Sequence, residues 1–291
     1  MRNKEERLGA NPKLQDACVP HIAEQPEVED RRSDFINQIN FINPTDHVDL
    51  PSKGLFYPKN HPLYNEETIE IKQMTAKEED ILSSRSLLKK GIALDKLIQS
   101  LILDRSVNPD TLTLSDRNAI IVQARISGYG PEYATLVTCP SCMEKGKYTF
   151  DLNEKIEKEK NTSFAVEPDE DGLLVFDLPV TKWKIVCRAL NGSDEKTLLR
   201  ISEVKKKNNS SNDSMLFDQL KLMVVSIQGV SDREIIEKAL TSLPAKDSRH
   251  LRKVYEQSVP DVDLTRNFKC KTCEYEADLE VPLTADFFWF K

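Results

Sequence analysis

At 291 residues, with 39% hydrophobic and 31% charged residues and a formal charge of −7, the chain is long enough for two modest cores. The acidic balance argues against nonspecific DNA binding, which depends on phosphate neutralisation by Lys and Arg. No apolar run approaches the roughly 18–20 residues of a membrane span. No signal peptide opens the chain, so a reducing cytosol is the expected compartment.

In chain order, residues 1–45 read as a flexible charged tail, relieved by one apolar segment, Phe35–Ile42, of the kind that docks as a short helix or strand. A turn follows in Leu50-Pro51-Ser52-Lys53-Gly54-Leu55-Phe56-Tyr57-Pro58, where Pro51 and Gly54 bend the chain ahead of two aromatics. Its spacing is not that of a phosphate loop. Thr68–Met74 alternates as a strand. Thr75-Ala76-Lys77-Glu78 has the form of a capping box, which predicts a helix with Ile81, Leu82, Leu87 and Leu88 on its apolar face. Gly91 breaks that run, and Ile92, Leu94, Leu97, Ile98, Leu101 and Ile102 continue in a second helix. A third, capped by Ser115, carries Ile120, Ile121, Val122 and Ile126 and stops at Gly128.

Glu132–Thr138 reads as a strand running into Cys139-Pro140-Ser141-Cys142, with Lys147–Phe150 as its hairpin return. Residues 153–172 form a charged linker or solvated helix. Leu173–Leu178 and Lys182–Arg188 make a hairpin that turns at Pro179-Val180-Thr181. Helices then follow: one capped by Ser193 and ending near Lys207, and one lined by Leu216, Leu220, Met223, Val224 and Ile227. A third, capped by Ser231, runs through Leu240, and a last one opens at Pro244 and reaches Tyr255. Asn267-Phe268-Lys269 leads into Cys270-Lys271-Thr272-Cys273, and Tyr275–Glu280 alternates on the way out. The two units, 46–152 and 173–291, thus repeat one order: strand material, helices, then a Cys-x-x-Cys hairpin.

A Cys-x-x-Cys turn points two sulfurs at one ion, and two such turns complete a tetrahedral shell of the kind Zn2+ takes in closed structural sites. Cys139, Cys142, Cys270 and Cys273 are therefore the candidate ligands of one structural Zn2+. Free thiol pairs, a redox pair and two disulfides are the alternatives; thioredoxin-like redox motifs sit between a strand and a helix, and no helix start follows either knuckle closely. Cys18 and Cys187 have no partner at ligand spacing. The four histidines, His21, His47, His61 and His250, form no ligand pair that would keep an open metal position. No nucleophile elbow, phosphate loop or kinase signature appears, so the chain reads as noncatalytic, with no small-molecule substrate.

The Leu50–Pro58 run, Met74-Thr75-Ala76-Lys77-Glu78-Glu79-Asp80-Ile81-Leu82, the knuckle that follows Gly128-Tyr129-Gly130, and the ending Val281-Pro282-Leu283-Thr284-Ala285-Asp286-Phe287-Phe288-Trp289-Phe290 resemble the T4-type bacteriophage base plate protein family over about residues 45–291. The resemblance implies a hub subunit or hub assembly chaperone of a contractile-tail baseplate. It implies partners among hub or tail proteins, and a place in the host cytoplasm during phage assembly or in the virion baseplate. The expectation is an α+β protein, with helical units, short antiparallel hairpins and a four-cysteine zinc ribbon, that acts as a noncatalytic hub assembly chaperone. Its alternatives are a permanent hub subunit and a zinc-ribbon nucleic-acid-binding protein, the latter needing a basic face. Phe287, Phe288, Trp289 and Phe290, with Leu55, Phe56 and Tyr57 of the turn, are the candidate partner-binding residues. The competing reading of the four aromatics is a plug for the chain's own core.

Overall fold

The computed structural model of the protein describes residues 44–154, 162–207, 215–281 and 285–288, all within one unit, Asn43–Lys291. The expected docking segment Phe35–Ile42 lies outside the described residues, as do Trp289, Phe290 and part of the charged linker. Strands β1 (Thr45–Asp49) and β2 (Thr68–Lys72) pair antiparallel and lead into α1 (Ala76–Ser83), α2 (Arg85–Lys89), α3 (Ala93–Leu101) and α4 (Leu114–Tyr129). The hairpin of β3 (Glu132–Thr138) and β4 (Lys145–Asp151) follows. Next come β5 (Leu173–Asp177), β6 (Lys184–Arg188), α5 (Gly192–Lys207), α6 (Met215–Met223), β7 (Val224–Ile227), α7 (Arg233–Thr241) and α8 (Ala245–Ser258). A second hairpin, β8 (Thr265–Lys269) and β9 (Glu276–Glu280), and a 3-10 turn at Ala285–Phe288 close the chain. All sheet pairing is antiparallel, so the class is α+β.

Several elements differ from the sequence reading. The helix expected to carry Ile81, Leu82, Leu87 and Leu88 breaks at the extended Ser84 into α1 and α2, and Leu88 is exposed. The helix expected to carry Val224 and Ile227 ends at Met223, and Val224–Ile227 instead forms β7 on the outer side of β6. Val224, Val225 and Ile227 are β-branched and lose side-chain freedom in a helix, while burial of Val224 and Ile227 in the second core rewards the strand. β1 precedes the turn and has no counterpart in the reading of local pattern. The α4 cap is Thr113, whose hydroxyl accepts from Asp116 N–H at 3.3 Å, and Ser115 lies inside the helix.

Two apolar cores form. The first gathers Val48, Leu50, Ile69, Ile71, Leu97, Ile98, Ile120 and Phe150 together with Leu264, Phe268, Val281, Phe287 and Phe288, so the hairpin of the second knuckle packs with the first. The second is built from Leu174, Ile185, Cys187, Leu220, Val224, Ile236 and Leu251. Arg117 of α4 links them, pairing with Asp95 at 2.6 Å and Glu195 at 3.4 Å, and Lys196 joins the same Asp95 at 3.3 Å.

The Leu50–Pro58 turn is bolted to α4 by one fully buried carboxylate. Asp116 accepts from Ser52 N–H at 3.0 Å, from Ser52 Oγ at 2.6 Å and from Tyr57 OH at 2.6 Å. Tyr57 OH in turn accepts from Thr113 N–H at 3.1 Å. Gly54 has φ +69°, and a Cβ there would lie 2.4 Å from Glu66 N and 2.5 Å from Leu63 O, so only glycine fits. Burial, then the Asp116 charge, raises the Tyr57 phenol well above its usual range.

The capping box at Thr75 is present and extended. Glu78 accepts from Thr75 N–H (3.0 Å) and Thr75 Oγ1 (2.6 Å), and also from Lys72 Nζ (2.7 Å) and Ser100 Oγ (2.5 Å), which ties α1 to β2 and α3. Burial by itself would raise this carboxyl, but the bonds from Lys72, Ser100 and Thr75 outweigh it and hold it at about 2. A depressed carboxyl contributes stability that is complete above its unfolded value of about 4.5 and is lost as pH falls towards about 2. Urea midpoints measured between those limits should therefore fall with acidification, and more steeply in the wild type than in Glu78→Gln. Parallel curves would assign the acid sensitivity elsewhere.

Candidate metal centre

Both knuckles fold the same way, residue for residue. Cys139 N–H donates to Glu144 C=O at 2.9 Å, and Met143 N–H returns to Cys139 C=O at 3.0 Å. Cys270 N–H donates to Tyr275 C=O at 2.8 Å, and Glu274 N–H returns to Cys270 C=O at 3.1 Å. The residue after the second cysteine takes positive φ in each, Met143 at 60° and Glu274 at 56°. This tight reversal turns each Cys-x-x-Cys pair to one side, which is what the chelate requires. Cys139 and Cys270 are buried, whereas Cys142 and Cys273 are exposed.

The two turns meet. Cys139 Sγ lies 3.7 Å from Cys273 Sγ, and Cys142 Sγ lies 3.7 Å from Cys270 Sγ. All four sulfurs fall within 4.8 Å of one another. Sulfurs bound at about 2.3 Å around a tetrahedral ion are about 3.8 Å apart, whereas a disulfide holds them at about 2.05 Å. The arrangement is compatible with a metal ion, and the cross-pairing means that each short contact joins one knuckle to the other.

The surroundings stabilise thiolate unevenly. The Cys273 amide, and then the Thr272 amide at 3.4 Å, pull the Cys270 thiol down to about 6. At Cys142 the Glu144 amide is opposed by desolvation and by the three neighbouring thiols, and the group stands at about 12. One negative charge forms readily in this cluster and further ones repel each other, a balance that a divalent cation reverses.

Two buried arginines brace the hairpins from behind. Arg125 of α4 donates to the carbonyls of Gly130 (2.7 Å), Glu132 (3.0 Å) and Phe287 (3.0 Å), fixing the start of β3 and the C-terminal turn together. Arg266 of β8 donates to the carbonyls of Asp151 (2.8 Å) and Leu152 (2.7 Å) at the end of β4. Near the tips, Tyr148 of β4 accepts from Lys271 N–H at 3.1 Å and packs on Phe268 with ring centroids 4.6 Å apart. These groups assemble the four-cysteine cluster from segments more than a hundred residues apart. Sequence reasoning missed both arginines, since a lone Arg in a strand or helix reads as a solvated charge.

The family model described as T4 bacteriophage base plate protein matches residues 47–289. The chain belongs to that family. No curated protein and no solved structure matches it. In this baseplate-family protein no helix among the described residues is long and apolar enough to cross a membrane.

The residues expected to bind a partner fall into different environments. Phe287 and Phe288 are buried, with Phe287 against Tyr133 and Phe288 against Tyr129. These two rings thus pack in the chain's own core, as the core-plug alternative expects, with the Arg125 bond to the Phe287 carbonyl beside them. Tyr57 is likewise buried, its hydroxyl committed to Asp116. Phe56 is half-buried against the second core, and Leu55 remains exposed. Cys187, without a ligand partner in sequence, is fully buried in the second core, where burial pushes its thiol up to about 12.

Proposed function

We propose that this chain is a noncatalytic assembly factor, a chaperone, for the baseplate hub of a contractile-tailed bacteriophage, built around a structural Zn2+ held by Cys139, Cys142, Cys270 and Cys273. The zinc reading rests on the 3.7 Å spacing of the cross-paired sulfurs, which matches a tetrahedral four-thiolate shell. Such a shell leaves no coordination position for water or substrate, which supports a structural role. When bound, the ion supplies a cross-link between the two hairpins; the chain's own residues, Arg125, Arg266 and Tyr148, bring the hairpins to it.

Family membership supports the baseplate assignment. The formal charge of −7 weighs against nucleic acid as the partner, and on the exposed face of the second hairpin Lys269 is already paired with Glu276 at 2.6 Å. Mass spectrometry of purified virions, set against host lysate late in infection, tests the assembly role. An assembly factor is expected in the lysate and absent from the virion, whereas a fixed copy number in the virion would make it a permanent hub subunit.

A further inference from the structure

The strand that opens the described chain has one bare edge. In the β1–β2 pair, Leu50 N–H donates to Glu67 C=O at 2.8 Å and Gln73 N–H to Pro44 C=O at 2.9 Å. Alternation along an antiparallel ladder then makes Asp46 and Val48 the β1 residues bonded to β2. The backbone N–H and C=O groups of Thr45, His47 and Asp49 point the other way. Among the described residues none of these groups has a hydrogen-bond partner.

A groove of about 680 Å3 borders this strand, lined by His47 and Asp49 of β1, by Val122 and Ile126 of α4, and by Asp261 and Asp263 ahead of β8. Its lining therefore combines a strand edge, an apolar helix face and the exposed carboxylates of Asp49 and Asp261, while the Arg266 guanidinium, also in the lining, is buried and committed to backbone carbonyls. We propose that the groove receives an extended segment of a partner protein, which adds to β1 as a further strand and alternates apolar residues with Lys or Arg. Side chains of an added strand alternate between two faces, so one set meets Val122 and Ile126 while the other reaches the carboxylates. The backbone edge supplies affinity for any extended chain, and Asp49 and Asp261 select a basic one.

A second copy of this chain fits poorly. Its own β1 would bring Asp46 and Asp49 against the same carboxylates, and two chains of net charge −7 repel at longer range.

The test is selection of a displayed library of random linear peptides on the full chain, with the Asp49→Lys/Asp261→Lys double variant as counterpart. Both positions are exposed, and because Asp261 accepts from Val262 N–H at 2.7 Å, an unchanged melting temperature of the variant is checked first. Enriched peptides are expected to alternate apolar residues with Lys or Arg and to bind the double variant about tenfold more weakly. They should also slow amide hydrogen exchange at Thr45, His47 and Asp49. Three results would overturn the proposal: enrichment no greater on the wild type than on the double variant, selected peptides with no basic bias, or protection that bypasses those amides. Concentration-dependent dimerisation that protects the same amides would assign the edge to a second copy and overturn it equally.

Discussion

Cys270→Ser is expected to unfold the first core and leave the second largely in place. The first core is closed by two hairpins that approach from opposite ends of a long excursion, Cys139 and Cys142 before it and Cys270 and Cys273 after it. Metal binding to a four-ligand site contributes about 10–16 kcal/mol in zinc-finger peptides, which rivals the roughly 5–15 kcal/mol of net stability of a whole domain. Loss of one thiolate forfeits much of that term. Hydrogen exchange should accelerate in β3, β4, β8, β9 and the 3-10 turn, and in α4 through its Arg125 link to Phe287. The sheet β5-β6-β7, with Leu174, Ile185 and Val224 in its own core, should exchange nearly as in the wild type. Chelation should reproduce this pattern in the wild type, and Cys187→Ala should not. An unchanged melting profile in both Cys270→Ser and the chelated protein would remove the metal from the account of stability.

Asp116→Ala is expected to cost about 3–5 kcal/mol, because it strands three buried donors at once: Ser52 N–H, Ser52 Oγ and Tyr57 OH. An unsatisfied buried donor costs about 1–3 kcal/mol, and the three are close enough to relax together, so the total falls below their sum. Tyr57→Phe removes one of those donors and the acceptor of Thr113 N–H, and should cost about 1–2 kcal/mol. Zinc content should be unaffected in both, since the turn and the cysteine cluster share no contact in this network. Urea unfolding measures the difference; two variants within about 0.5 kcal/mol of wild type would show that the turn is not anchored through Asp116.

The Leu50–Pro58 run helped to mark the family resemblance, and the structure gives it a physical reason: its Ser and Tyr bond to Asp116 of α4, and its Gly allows the close approach to residues 63–66. Local rules were enough for such features. The Thr75 capping box, the β5–β6 hairpin and the reversal at each knuckle depend on neighbours a few residues away, and their patterns are visible in the chain. Features decided by distant partners were hidden. In Leu220–Ile227 an apolar run suits a helix or a strand, and only pairing with β6 shows that Val224 onward is extended. The burial of Phe287 and Phe288 depends on a carbonyl held by Arg125, 162 positions earlier. The burial of Arg125 and Arg266 could not be read from charge, because each donates to backbone carbonyls of segments brought close only by the fold. The four cysteines were legible as candidate ligands from spacing alone, while their convergence depends on distant groups such as Arg266 and Tyr148.

The central claim, that one tetrahedral ion joins the two knuckles, is tested most directly by metal analysis with X-ray absorption at the zinc edge on the purified full-length protein. One zinc per chain is expected, in a shell of four sulfurs at about 2.3 Å, and is lost when Cys142 or Cys273 is replaced by Ser. A shell containing nitrogen or oxygen ligands, or a protein that purifies with no metal and with its thiols paired as disulfides, would contradict it.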